Sequence, residues 1–263
     1  MKHCNLSVVV PLCKPKSSWH YDLLKNIRQV KMQLTGLNIQ FIVVNDGFEN
    51  KSLLYKFREL TESHSNISFI SYAANMGKGY ALRKGVASAR GKYVIVTDFD
   101  FPYVHSNLAD MYHLLLQGYD VVVGKRDKAY FKKLPLKRYI ISKACNFLNR
   151  FLLRLPVADT QSGLKAFNHV GRSIFLNTTI NRFLVDAEFV QLAYRFGLHI
   201  KPAPLTLREN IQFSNMNAGV IKTEIRNFLY LLFNRNRKLT TISDRKKYDI
   251  NSTLHSRETE TVE

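Results

Sequence analysis

Residues 75–100 read NMGKGYALRKGVASARGKYVIVTDFD, and this stretch decides the fold class. It opens on a glycine-containing turn, Asn75-Met76-Gly77-Lys78-Gly79. An alanine-rich segment with helical spacing follows over 79–90, then the apolar run Tyr93–Thr97, then Asp98-Phe99-Asp100. Turn, helix and short buried strand in that order form part of a strand–helix–strand unit. The same alternation continues outward. Strands are predicted at Leu6–Pro11, Ile39–Val44, Ile67–Tyr72 and Asp120–Val123, with helices over 18–34 and 51–63. Strand and helix alternating in this way indicate a mostly parallel sheet covered by helices on both faces. The fold class is therefore α/β. Ligands of such sheets sit beyond the carboxyl ends of the strands, and those ends carry Pro11, Asp46, Asn75 and Asp98.

The 263 residues suit one large domain, and an apolar fraction of 46% supplies a sizeable core. Charged residues make up 22%, which excludes a largely disordered chain. Lysine and arginine total 39 against 20 acids, a net charge of +19. A surface this basic attracts nucleic acid, anionic lipid or phosphorylated ligands. Cys4, Cys13 and Cys145 have no paired spacing and are expected to be free thiols. The apolar run after Met1-Lys2-His3 stops at Pro11, short of a signal segment, and no run reaches the roughly 18 residues of a membrane span. The expected location is cytoplasmic and peripheral to a membrane.

The second half is less regular. Helices are predicted over 137–154, 186–196 and 221–233, and a turn and strand over 159–167. One domain is expected over 1–219, then an amphipathic helix over 220–234 suited to a membrane interface, then a basic and finally polar tail over 235–263.

The D-x-D at 98–100 carries the chemistry. Two carboxylates at the turn after a strand can converge on one hard cation, Mg²⁺ or Mn²⁺, which neutralises a diphosphate leaving group. By spacing alone the plainer reading is a pair of loop carboxylates, one capping the next helix. The glycines at 77 and 79 allow backbone to approach an anion at a helix N-terminus, or make a tight strand–helix turn. Asp46 is placed to meet a base or ribose, or to cap a helix. Lys125–Arg154 holds ten basic residues and one acid, interleaved with Ile140, Ile141, Phe147, Leu148 and Leu152. A solvated helix face normally mixes signs, so this segment points to phosphate, which Arg126 and Arg138 can fork onto.

In order, SVVVP, VVNDG, NMGKGYALRKGVASARGKYVIVTDFD, VVVGKRD, KRYIISKACNFLNRFLL and DTQSGLKAF resemble the family-2 glycosyltransferases of the GT-A fold, nearest to polyprenyl-phosphate sugar synthases. The resemblance spans roughly residues 5 to 205. It implies an inverting transfer of a hexose from a nucleotide sugar, of the GDP-mannose or UDP-glucose type, to a polyprenyl phosphate. It implies a donor site at Pro11, Asp46, Asn75, Lys78 and Asp98, and Mg²⁺ or Mn²⁺ on Asp98 and Asp100. Catalytic residues would be Asp100, Arg126 and Arg138, with the acceptor phosphate on Arg138 and Ser142. The chain departs from the family pattern at Lys14, Asn45 and Pro102. A phosphate acceptor is already largely dianionic near neutral pH and needs no general base. An acceptor hydroxyl would need one, for which Asp186 and Glu188 are the candidates. A catalytically inactive membrane-binding homologue is the third reading. A nucleic-acid partner is not expected, since no recognised nucleic-acid-binding pattern accompanies the charge.

Overall fold

The computed structural model describes residues 4–48, 50–132, 134–153, 155–157, 159–209 and 218–234. Its centre is a seven-stranded sheet of order β3-β2-β1-β4-β6-β5-β7. The strands are β1 (Leu6–Leu12), β2 (Ile39–Asp46), β3 (Ile67–Tyr72), β4 (Tyr93–Val96), β5 (Val121–Arg126), β6 (Lys165–Phe167) and β7 (Ile200–Leu205). β1 runs parallel to β2 and β4, and β2 to β3, in register Val9↔Ile42 and Val9↔Val96. β6 is antiparallel to both its neighbours, and β7 is parallel to β5. The five strands expected from sequence are present, and β6 lies within the turn-and-strand segment predicted over 159–167.

Nine helices are present among the described residues, the first eight between strands and the last after β7: α1 (Trp19–Gln33), α2 (Lys51–Ser63), α3 (Lys78–Ala87), α4 (Ser106–Leu116), α5 (Lys128–Lys132), α6 (Leu136–Phe151), α7 (His169–Leu176), α8 (Val185–Arg195) and α9 (Ala218–Phe233). Both faces of β1 are covered. Val8 and Val10 join a core with Trp19, Leu23 and Ile27 of α1. Val9 points the other way, onto α3, as period-two alternation requires. There Gly85 admits the strand so closely that a Cβ would lie 2.3 Å from Val9 Cγ1.

β7 was not expected. Its IKPAPL sequence holds two prolines, which cannot donate to a ladder, and an edge strand is where they are tolerated. The compact unit runs through Leu232 and takes in nearly all of α9. α9 is tied to the domain: the Glu224 carboxylate accepts the N–H groups of Phe183 (3.4 Å) and Leu184 (3.0 Å) at the start of α8, and Leu231 is buried. The second compact unit begins at Phe233. The tail expected over 235–263 lies outside the described residues. Cys4, Cys13 and Cys145 are free thiols. Among the described residues no helix is long and apolar enough to cross a membrane.

Candidate active site

Strand order reverses between β1 and β4, so the crevice beyond their carboxyl ends is the ligand position of an open α/β sheet. Pro11 lies at the end of β1, and Asp98-Phe99-Asp100 follow β4. The D-x-D segment is a tight turn: Phe101 N–H donates to the Asp98 carbonyl at 3.1 Å. Phe101 has φ +43, a backbone region unfavourable for a bulky residue, and its ring is fully buried. Arg208, just past β7, holds the turn from outside. Its Nη1 donates to the carbonyls of Phe101 (3.0 Å) and Asp100 (3.4 Å) and to Asn26 Oδ1 (3.0 Å). Nothing local in the sequence marks Arg208, because its partners, two backbone carbonyls and the Asn26 side chain, lie more than a hundred residues earlier.

The Asp100 carboxyl is shifted above the usual carboxylate range, first by loss of solvation to the surrounding protein and then by the Asp98 charge. Among the described residues no three His, Cys, Asp or Glu side chains are clustered to hold a metal ion. Asp98 and Asp100 nevertheless fit a hard divalent cation: they are oxygen ligands whose mutual repulsion a cation relieves, and Mg²⁺ is commonly held by one or two carboxylates plus substrate phosphates. Asp98 is further fixed by Gly163 of the DTQSG segment, where a Cβ would fall 2.0 Å from Asp98 Oδ2.

Lys78 lies against the same carboxylate. Its Nζ is 2.8 Å from Asp98 Oδ1 and 3.4 Å from Asp186 Oδ2, and Lys165 Nζ is 2.8 Å from Asp186 Oδ1. Burial works to lower the Lys78 pKa, but Asp186 and Asp98 overcome it and hold the ammonium above the ordinary lysine value. Burial also opposes the Asp186 charge, and Lys165 and Lys78 reverse that, leaving its pKa lowered. For Lys165, burial outweighs Asp186 and the pKa is lowered.

Of the two readings of the α3 N-terminus, anion cradle or tight strand–helix turn, the structure shows the turn. Gly77 N–H donates to the Asp46 carboxylate (2.9 Å), and Gly79 and Tyr80 N–H donate to the Asn181 carbonyl (2.8 and 3.4 Å). Gly77 and Gly79 admit the 180–181 loop rather than a ligand, since a Cβ on either would lie 2.4 Å or less from its carbonyl oxygens. Asp46 and Asn75 are likewise committed. Asp46 accepts from Tyr72 OH (2.9 Å), Met76 N–H (2.8 Å), Gly77 N–H and Asn75 Nδ2 (3.0 Å). Asn75 Oδ1 in turn accepts from Arg182 (3.3 Å). Asp46 is therefore placed at the expected strand end, but its oxygens organise the 75–77 turn.

Arg126 and Ser142 also come together, in an arrangement spacing did not reveal. Asp159 grips Arg126 by its Nε (3.0 and 2.9 Å), Nη2 and backbone N–H (2.8 Å). Arg126 Nη2 also donates to Ser142 Oγ at 3.0 Å, and the guanidinium packs over the rings of Tyr130 and Phe131. All three polar residues are buried. Burial alone would lower the Arg126 pKa; Asp159 more than reverses this. Arg126, expected to contact phosphate, is held here in an internal clamp that ties β5 to α6 through Ser142. Arg138 lies four residues before Ser142 on α6, and its side chain is outside the described set. Asp159 and Gln161, read from sequence as a polar turn, are the partners sequence reasoning missed.

The two candidate bases have internal partners. Asp186 is the buried link between two lysines. Glu188, also buried, accepts from Thr179 N–H (2.9 Å), Thr179 Oγ1 (2.8 Å) and Ile180 N–H (2.7 Å).

The profile described as glycosyl transferase family 2 matches residues 7–171. An uncharacterized protein of Methanocaldococcus jannaschii is 29% identical over 70% of this chain and 74% of its own length. Dolichyl-phosphate beta-glucosyltransferases of Dictyostelium discoideum and Homo sapiens are 26% and 25% identical, each over 74% of this chain and 64% of its own length. The chain therefore spans under two thirds of those two relatives. The crystal structure of Mycobacterium tuberculosis glucosyl-3-phosphoglycerate synthase, solved with Mn²⁺, uridine diphosphate and glucosyl-3-phosphoglycerate, matches with a TM-score of 0.59. The match covers 88% of this chain and 80% of that one at 17% identity, a likeness of fold.

Proposed function

The chain belongs to glycosyl transferase family 2, and on that premise we propose that it moves a hexose from a nucleotide sugar to a polyprenyl phosphate, with inversion, at an anionic membrane surface. The observation that carries this reading is the state of Asp186 and Glu188. Both carboxylates are buried against internal partners, the two lysines for Asp186 and the 179–180 segment for Glu188, which speaks against either taking a proton from an acceptor hydroxyl. A phosphate acceptor asks for no such base. Its oxygen attacks the anomeric carbon, the bond to the nucleoside diphosphate breaks, and the diphosphate leaves with the electron pair.

What remains is to hold two anions together, which is a task for fixed cationic groups. Lys78 is the cation paired with the Asp98 carboxylate of the D-x-D turn. Asp98 and Asp100 would hold Mg²⁺ or Mn²⁺, which supplies charge neutralisation of the diphosphate when bound. Ser142 and Arg138 on α6 are assigned to the acceptor phosphate, and Asp46, Asn75 and Pro11 to the wall of the donor site. The relatives named as beta-glucosyltransferases make UDP-glucose the first donor to test, with GDP-mannose beside it.

The membrane assignment rests on exposed apolar residues beside basic ones. Leu136, Ile140, Phe147 and Phe151 recur at helical spacing on α6, and all four are exposed. On α9, Ile225 and Leu229 are exposed, while Lys222 and Arg226 are exposed nearby. An amphipathic helix with such a face suits a headgroup boundary.

The test offers the purified protein, UDP-glucose or GDP-mannose, and Mn²⁺ to matched acceptors: a polyprenyl phosphate and the polyprenol of the same length. Turnover is expected with the phosphate. Equal or faster transfer to the alcohol would refute the reading.

A further inference from the structure

We propose that Lys165 and Asp186 are positioning residues for the donor: together they hold the Lys78 ammonium against Asp98, where the donor diphosphate is received. This rests on the glycosyltransfer reading above. Lys165 occupies the first residue of β6, in register with Val96 of β4 on one side and Val123 of β5 on the other, and its side chain is 0% exposed. A lysine in the middle of a sheet is expensive to bury, and it persists only with a charge partner. That partner is Asp186, at 2.8 Å.

The charges alternate along the row Lys165, Asp186, Lys78, Asp98. Lys78 stands 3.4 Å from Asp186 and 2.8 Å from Asp98, so it leans toward the D-x-D turn. Lys165 is what permits the lean. With its own cation at hand, Asp186 has no need of Lys78 as sole counterion. Without Lys165, a buried carboxylate would draw Lys78 in and away from Asp98. The same short segment acts twice: Gly163 leaves the room in which the Asp98 carboxylate sits, and Lys165, two residues on, holds Asp186. Donor-site geometry is thereby set in part from β6, whose first side chain is fully buried.

A purely structural role predicts something different. Replacing a buried ion pair by neutral groups of similar size is often tolerated or stabilising. The double variant Lys165→Met/Asp186→Asn would then fold and bind donor normally. The experiment measures calorimetric binding of UDP, and in a parallel arm GDP, with Mn²⁺, alongside thermal melting and acceptor KM. We expect the double variant to stay folded. Because Lys78 then loses one of the two carboxylates that hold its ammonium in place, the Kd for the nucleotide that wild type binds should rise about tenfold or more, about 1.4 kcal/mol, with acceptor KM within about twofold of wild type. Lys165→Met alone, which leaves Asp186 with Lys78 as sole cation, should show at least as large a rise. A folded variant of either kind with wild-type Kd overturns the proposal, and so does failure of both to fold, which would assign the pair to stability. Wild-type protein that binds neither nucleotide sinks the glycosyltransfer reading, and this inference with it.

Discussion

The Arg126–Asp159 clamp gives the sharpest prediction about stability. Asp159→Asn keeps the shape of the side chain and removes its charge. In the native protein that carboxylate takes hydrogen bonds from Nε, Nη2 and the backbone N–H of a buried arginine. Breaking a buried pair by removing one partner typically costs about 3–5 kcal/mol, because the other charge is left uncompensated. The Asn side chain and the neighbouring Ser142, Gln161 and Tyr130 can still accept some of the guanidinium hydrogens, which places the expected loss at the lower end, about 3 kcal/mol. For a domain of this size that corresponds to a fall in Tm of roughly 6–12 °C. Urea unfolding gives the free energy and thermal melting the Tm. Arg126→Met/Asp159→Leu, which removes both charges, should recover most of the loss. A loss under about 1 kcal/mol for Asp159→Asn would refute the claim that this pair carries a buried, uncompensated charge when broken.

Further expectations concern the site and the membrane. Asp100→Asn should lower kcat about 100-fold or more, since several kcal/mol of charge neutralisation is lost; full activity in EDTA would contradict this. Gly163→Ala should raise donor KM with acceptor KM unchanged, because its Cβ would lie 2.0 Å from Asp98 Oδ2; a wild-type donor KM would show that Asp98 need not sit there. Arg138→Ala should raise acceptor KM and spare donor affinity, a split that steady-state kinetics reads directly. Co-sedimentation with liposomes should require anionic lipid and weaken at high salt, at about 1 kcal/mol per basic residue near the surface; equal binding to neutral vesicles would count against the interface.

The parallel half of the sheet is legible because burial writes it. β1, β2 and β4 are covered on both faces, so their sequences are nearly uninterrupted apolar runs, which single-residue reading recovers. The antiparallel insert and the edge are harder. β6 has three residues and begins with a buried lysine, and β7 carries Pro202 and Pro204. Each breaks a local preference for a reason found elsewhere in the chain: Lys165 for Asp186 across the fold, the prolines because β7 has a neighbour on only one side.

The functional site divides along a similar line. Position at a strand's end can be read from sequence, and Asp46, Asn75, Asp98 and Asp100 are all found there. What an oxygen at that position is bonded to cannot be read, because the donors that decide it come from distant segments. Asp46 is taken by the 72–77 segment and Asp186 by two lysines from separate elements. Hence a carboxylate's chemical freedom, which separates a base from a brace, is a tertiary property. In this chain that freedom is what bears on the proposed acceptor: Asp186 and Glu188 both have internal partners, and a phosphate is the acceptor that asks for no base.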